Sequence, residues 1–308
     1  DLYLSYGYME EVAGGKIPAE TLRGTGIRFG AVLDEGGGVR PGSDYGIDDK
    51  ALCTIGLCEK GYVDFELSYT AKGGHSSRPG ENFATTMIAK ALIAIQEHPM
   101  PYRVTDTIRR RFGVLAPYMA KENPELAELL KNPDENLEKL VPYLKKDPAL
   151  DAMFHTTVVP TMLSGSAQAN ILPAKVTAVV NSRVLEGDTV ESVKKHLEEI
   201  VPDEVEVRVL KGSDASPTSL YDGAMKDLLV EIGGKIYGDV IPCPEMMLGG
   251  TDARFVYDMS DRVYRFSTIY AREDHHVHAA NEFTGVEELA DSIDFYMELL
   301  TRYGETAK

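Results

Sequence analysis

Ile27-Arg28-Phe29-Gly30-Ala31-Val32-Leu33-Asp34-Glu35-Gly36-Gly37-Gly38, read beside Leu2-Tyr3-Leu4-Ser5-Tyr6-Gly7-Tyr8-Met9-Glu10-Glu11, decides the fold of this chain. Each stretch is an apolar run that ends in paired acids, the pattern of a strand delivering carboxylates to one edge of a sheet. In open α/β sheets, ligands and catalytic groups collect at strand ends. Carboxylates from two strand ends suit a divalent cation, with one of them handling protons. Acid pairs are equally at home on a solvated surface, and these residues alone leave both readings open. His278, in His278-Ala279-Ala280-Asn281-Glu282, and the block Gly249-Gly250-Thr251-Asp252-Ala253-Arg254 add to the first reading.

Around these runs, residues 1–58 read as α/β: a strand near 2–7, a Gly14-Gly15 turn, a short helix with Pro18 in its first turn, the strand at 27–33, and an apolar run near 51–58. The character changes at Gly61. Val63, Phe65, Leu67 and Tyr69 alternate along Tyr62 to Lys72, as in a half-buried strand. The loop Gly73-Gly74-His75-Ser76-Ser77-Arg78-Pro79-Gly80 follows, then a helix over 83–97 with one apolar face. Residues 100–153 read as a charged helical insertion, stopped repeatedly by Asn-Pro and Asp-Pro pairs. Strands at 155–164 and 174–184 come next. Asp188-Thr189 then caps a helix, with Glu191 reaching back, and Val205, Val207 and Val209 alternate as a further strand. With the insertion set aside, 60–210 runs strand, helix, strand, strand, helix, strand, the split βαβ of ferredoxin-like domains. From 219 a helix at about 220–234, strands near 239–247 and 262–270, and a helix at 285–301 restore the α/β character. The expected layout is one α/β domain divided in sequence into 1–59 and 211–308, with an α+β domain at 60–210 inserted between the halves.

Composition narrows the function. The 308 residues are 43% hydrophobic and 26% charged, an ordinary globular balance. Forty-nine acidic against 32 basic residues give a net charge of -17. Nucleic-acid and anionic-membrane partners need clustered Lys and Arg and are not expected; the run Arg109-Arg110-Arg111 reads as a helix surface. No apolar run approaches a membrane span. Cys53, Cys58 and Cys243 offer neither a disulfide framework nor zinc-ribbon spacing and read as buried thiols in a reducing, cytoplasmic setting. Asp1 opens almost directly onto a strand, so the expectation is a chain whose beginning is missing.

Six pieces in order resemble the M20 metallopeptidases, most closely the branch holding carboxypeptidase S and the secreted N-fatty-acyl-amino-acid hydrolases. They are Glu10-Glu11-Val12, Leu33-Asp34-Glu35-Gly36-Gly37, Gly73-Gly74-His75-Ser76-Ser77-Arg78-Pro79, Asn170-Ile171-Leu172-Pro173 with Arg183, Gly250-Thr251-Asp252-Ala253-Arg254, and His278-Ala279-Ala280-Asn281-Glu282. The resemblance covers essentially the whole chain. It implies a three-layer zinc-peptidase catalytic domain, split by a ferredoxin-like lid that also dimerises. It also implies two zinc ions per subunit and hydrolysis of an amide bond beside a free carboxylate, in a peptide, dipeptide or N-acyl amino acid. Glu10 matches the general base. Glu11 and His278 match ligands of one zinc and Glu35 a ligand of the other. His75 matches a group that steadies the oxyanion in the neighbouring subunit, which makes a homodimer the working unit. Asn170, Arg183, Gly250 and Thr251, with Arg254 beside them, match groups that hold the substrate carboxylate.

Each residue keeps a plainer reading: His75 as a polar loop residue, Asn170 as a turn residue, Arg254 as the partner of Asp252 or another local acid. His275 and His276 read as exposed neighbours of His278. Two departures shape the expectation. The family's His-x-Asp and its bridging Asp precede the Glu-Glu pair, and only nine residues precede Glu10 here. Tyr8-Met9 also stands where relatives often carry His-Asp. Reduced zinc occupancy and impaired hydrolysis by this chain alone are therefore expected. The alternatives are a non-catalytic dimerisation or binding remnant of the same fold, and an aminoacylase or desuccinylase specificity.

Overall fold

The structure, a computed structural model, describes residues 1–5, 14–45, 47, 50–121, 123–270, 275–277 and 279–306. In chain order these form α1 (Lys16–Gly24), β1 (Val32–Asp34), β2 (Gly38–Pro41), β3 (Ala51–Glu59), β4 (Gly61–Thr70), β5 (Gly74–His75) and α2 (Ala84–Glu97). Four helices follow: α3 (Asp106–Met119), α4 (Pro124–Lys131), α5 (Leu137–Leu144) and α6 (Pro148–Ala152). Then come β6 (Thr157–Ser164), β7 (Ile171–Leu172), β8 (Lys175–Val184), α7 (Val190–Ile200) and β9 (Glu206–Ser213). The chain closes with α8 (Gly223–Tyr237), β10 (Val240–Met247), β11 (Val263–Arg265) and α9 (Val286–Thr306). They divide into two compact units, one of residues 1–59, 106–143 and 217–308, the other of 60–105 and 144–216.

The first unit is built on a sheet of order β1-β11-β3-β10, with β2 added antiparallel to β3. β3 pairs in parallel with β10, and β1 in parallel with β11. All nine residues of β3 are buried, as its unbroken apolar run requires of a strand covered on both faces. Cys53, Ile55 and Leu57 pack with Leu229 and Ile232 of α8 and with Phe295 and Leu299 of α9. On the other face Leu52 packs with Ile241, Cys243 and Leu115 of α3. Helices on both faces of the sheet make three layers.

The stretch expected as an insertion of the lid, 100–153, thus contributes Asp106–Tyr143 to the first unit. Its "charged" α3 carries Ile108, Phe112 and Leu115 buried on one side. There Arg111, 2% exposed, reaches Glu245 of β10 at 3.1 Å. That helix face is the second cover of the sheet.

In the second unit an antiparallel sheet of order β6-β8-β4-β9 packs α2 and α7 against one face. The core joins Val63, Phe65 and Leu67 of β4 to Ile88 and Ala91 of α2 and Val193 and Leu197 of α7. The expected split βαβ is the observed one. Thr189 caps α7, accepting from the Ser192 amide, and the Ser192 hydroxyl rather than Glu191 closes the capping box.

Two expected strands are shorter than their apolar runs. Of 27–33 only Val32 onward is a strand; Phe29 and Val32 instead bond Met259 and Arg262 of a neighbouring loop. Of 262–270 only Val263–Arg265 is. Apolar sequence here reports burial, and the ladder ends where partners turn away. Residues 1–5 form no strand; Tyr3 packs edge-on against Phe29. No helix among the described residues is long and apolar enough to cross a membrane.

Candidate functional site

In the first unit the chain turns sharply after β1. Gly36, Gly37 and Gly38 have φ of 102, 57 and 112°. A Cβ on Gly37 would stand 2.6 Å from the Thr54 carbonyl oxygen and 2.7 Å from that of Arg265. Only glycine threads this passage without strain, so the glycine run fixes where Glu35 leaves the sheet. Glu35 itself is exposed. Its neighbour Asp34 points to the loop after β10, where its Oδ2 accepts the Ala253 amide.

That loop, Gly249 to Arg254, is held from beneath by Glu59 at the end of β3. Glu59 Oε2 accepts from the Thr251 amide at 2.9 Å and its hydroxyl at 2.8 Å. Arg265 Nε lies 3.5 Å from the same oxygen, and both charged side chains are almost wholly buried. Burial pushes the Glu59 carboxyl up, while Arg265 and the Thr251 donors pull it back down. Arg265 also donates to the carbonyls of Leu57 and Val263. Thr251, expected at the substrate carboxylate, therefore has both its amide and its hydroxyl engaged with Glu59. The Arg254 guanidinium lies 4.8 Å over the Phe255 ring, with one nitrogen 3.0 Å from where a Cβ on Gly250 would stand. The absent side chain at Gly250 is what lets that guanidinium approach the loop. A Cβ on Gly15 would fall 2.1 Å from the Asp252 carboxyl carbon, so Gly15 meets the same loop. The unit thus gathers Asp34, Gly250, Thr251, Asp252 and Arg254 beside the exit of Glu35.

In the second unit His75 and Asn170 come together. Gly74 and His75 pair with Leu172 and Ile171 in a short two-stranded ladder, and the Ser76 amide donates to the Asn170 carbonyl at 3.0 Å. His75 Nδ1 accepts from the Ser77 amide at 3.2 Å and lies 2.8 Å from the Ser77 hydroxyl. A ring nitrogen that accepts from an amide leaves the proton of neutral imidazole on Nε2. His75 is exposed, so this assigned tautomer presents an Nε2–H donor to solvent. Arg183 sits elsewhere, on β8 opposite Tyr62, with its guanidinium 4.9 Å over that ring. The His75–Asn170 ladder lies beyond the Lys175 end of β8, and Arg183 near the other end, about 26 Å away at 3.3 Å per residue.

Glu10, Glu11 and His278 lie outside the described residues. Among the described residues no three His, Cys, Asp or Glu side chains gather as a metal site. By chemistry, two carboxylates and an imidazole form a donor set that suits zinc. His275, read from sequence as exposed, is buried; its Nε2 lies 2.9 Å from Glu288 Oε2, which also accepts the Gly285 amide. The three cysteines are free and buried, as expected. Glu59, Arg265 and Ser77 were not singled out in the sequence. A charge closing an apolar strand (Glu59), a charge inside one (Arg265) and a hydroxyl two residues from His75 were the available signals.

Residues 58–208 match the family described as the peptidase dimerisation domain. Over 97% of its length the chain is 25% identical to a probable carboxypeptidase S-like protein of Dictyostelium discoideum. It is 26% identical, again over 97%, to the N-fatty-acyl-amino acid synthase/hydrolase of Homo sapiens. It spans 58% and 60% of those two relatives. Among solved structures, an M20 family metallo-carboxypeptidase from Sulfolobus solfataricus superposes with TM-score 0.63 at 17% identity, over 94% of this chain and 68% of that one. A tripeptidase from Staphylococcus aureus gives 0.58 at 15%, over 95% and 61%. These likenesses carry the fold.

Proposed function

We propose, from the premise that the chain is homologous to the M20 peptidases and contains their dimerisation domain, that it serves the hydrolysis of an amide bond beside a free carboxylate. The substrate class is a dipeptide, a peptide C-terminus or an N-acyl amino acid, as the relatives' names suggest. Glu10 is the general base, and Glu11, Glu35 and His278 hold zinc. When bound, zinc lowers the pKa of a coordinated water towards neutrality. Glu10 takes a proton from the attacking water and passes it to the leaving nitrogen. His75 Nε2–H donates to the oxygen of the tetrahedral intermediate. Arg183, Asn170, the Gly250 backbone and Arg254 bind the carboxylate, with Thr251 holding the loop from Glu59. Three buried free thiols favour a reducing, cytoplasmic setting.

One observation carries the two-subunit part of this reading. Arg183 stands about 26 Å along β8 from its Lys175 end, and His75 lies past that end in a separate two-stranded ladder, too far for both to touch one small substrate from the same copy. A homodimer through residues 60–210 resolves this, with His75 and the adjacent Asn170 of each subunit serving its partner's site.

Complementation tests it. Glu10→Gln and His75→Ala, each assayed with zinc on dipeptides and N-acyl amino acids, are expected to be inactive alone. Mixed after reversible dissociation they should regain about a quarter of wild-type activity, because half the dimers then hold one intact site. No recovery from a mixture that forms heterodimers would refute the shared site. An inactive wild type would refute hydrolysis by this chain and leave the binding-remnant alternative.

A further inference from the structure

In the second unit α2 and α7 cover one face of the sheet, against Val63, Phe65 and Leu67 of β4. Period-two alternation turns Tyr62, Asp64 and Glu66 to the other face. On that face Arg183 of β8 stands directly opposite Tyr62, and Asp64 has Asn181 of β8 on one side and Lys211 of β9 on the other. The Arg183 guanidinium carbon lies 4.9 Å from the Tyr62 ring centroid, and the Lys211 ammonium 5.2 Å from it. Two like charges thus share one ring. Asp64 balances the lysine, 3.5 Å from its nitrogen. Arg183 is different: among the described residues its guanidinium meets neither a carboxylate nor a hydrogen-bond acceptor, and only the ring holds it.

The ring is itself tied down. Tyr62 Oη donates to Asp64 Oδ2 at 2.9 Å, and Asn181 Nδ2 donates to Asp64 Oδ1 at 2.8 Å. Burial, and then the bond to Asp64, push the phenol up, so the hydroxyl keeps the proton it donates. A cation held on an aromatic face needs none of its N–H groups for that contact, so the planar fork stays available for a bidentate anion. An arginine already laid on a fixed surface also loses less rotamer freedom when it grips its ligand. We propose that Tyr62 is a positioning residue: its ring, fixed by Asp64 and Asn181, holds the Arg183 guanidinium ready for the substrate carboxylate. This rests on the reading of Arg183 as a carboxylate anchor given above. The incoming carboxylate supplies the counter-charge that Arg183 lacks among its described neighbours.

The test is calorimetric binding of two probes, N-acetylleucine and N-acetylleucinamide, to the full chain equilibrated with zinc. Every protein carries Glu10→Gln, so that neither probe is turned over. The probes differ only at the carboxylate, and the ratio of their affinities does not move with a general loss of stability. This parent protein should prefer the carboxylate by about tenfold or more, and Arg183→Ala should abolish the preference. Tyr62→Ile, a residue suited to a strand, should cut it to about threefold or less, while Tyr62→Phe, which keeps the ring, should retain more of it. A full preference in Tyr62→Ile, or equal loss in Tyr62→Ile and Tyr62→Phe, would overturn the positioning role and leave the anchor standing. A preference that survives Arg183→Ala, or is absent from the parent, would overturn the anchor itself. A second measurement needs no change at Tyr62. The Arg183 Nε–H nuclear magnetic resonance signal, assigned by its loss in Arg183→Ala, should be ring-current shifted and should move with N-acetylleucine but not with the amide. A signal without the ring shift would overturn the proposal.

Discussion

At the scale of single residues, two buried charges hold the framework of the candidate site. Glu59 is the acceptor that fixes Thr251, and its carboxylate lies 3.5 Å from Arg265 Nε. Removing one partner of a buried pair costs about 3–5 kcal/mol, because the other charge stays buried. Glu59→Ala should therefore lower unfolding free energy by that order in denaturant titration, while Glu59→Gln, which keeps an acceptor for Thr251, should lose less. Lys60, the next residue, is 3% exposed and donates to the carbonyls of Ala152 and His155. Burial, and then Arg183, push its ammonium down to about 7, against the pull of Asp188 and Asp151. Below pH 7 both folded and unfolded chains carry this charge, and the folded state bears the full penalty. Between pH 7 and the ordinary lysine range the unfolded chain holds the extra proton, so stability rises with pH. Unfolding free energies measured at pH 6.5 and pH 9 should show this rise in wild type and not in Lys60→Met. An equal pH dependence in both would remove Lys60 as its source.

At the scale of elements, the glycine run after β1 sets the position of Glu35. Gly37→Ala meets both a φ of 57° and two carbonyl oxygens inside 3 Å. The strained backbone alone is worth about 1–3 kcal/mol, so thermal unfolding should show a clear loss, larger than for Gly24→Ala, which meets nothing within 4 Å. Much of this level was legible in the sequence. Period-two alternation announced β4, and the strand–helix order announced the split βαβ, because both depend on local pattern. The lengths of β1 and β11 were not legible, since an apolar run records burial and a ladder needs a partner. The assignment of α3 to the first unit was hidden for a similar reason: Arg111 looks like surface until Glu245 is brought beside it. Of the site, Asp34, Glu35 and the Gly250–Arg254 loop were marked by motif, and His75 with Asn170 likewise. Glu59 and Arg265 were missed because a buried ion pair joins residues far apart in the chain.

At the scale of the whole molecule, the first unit carries Glu35 and the Gly250–Arg254 loop, and the second carries His75, Asn170 and Arg183. The acids at the head of the chain acquire a role only if they hold a cation, since a solvated Glu10-Glu11 pair would do nothing for an amide. Complementation addresses the sharing of sites between subunits; the metal addresses whether there is a site to share. The most direct measurement is the zinc content per chain, by elemental analysis, after equilibration with zinc and dialysis against metal-free buffer. Wild type should be measured beside Glu11→Gln, Glu35→Gln and His278→Ala. Wild type should retain some zinc, less than the two ions per chain of an undivided site, and Glu11→Gln and His278→Ala should lose most of it. Zinc near zero in wild type, or equal retention in all four proteins, would contradict this expectation.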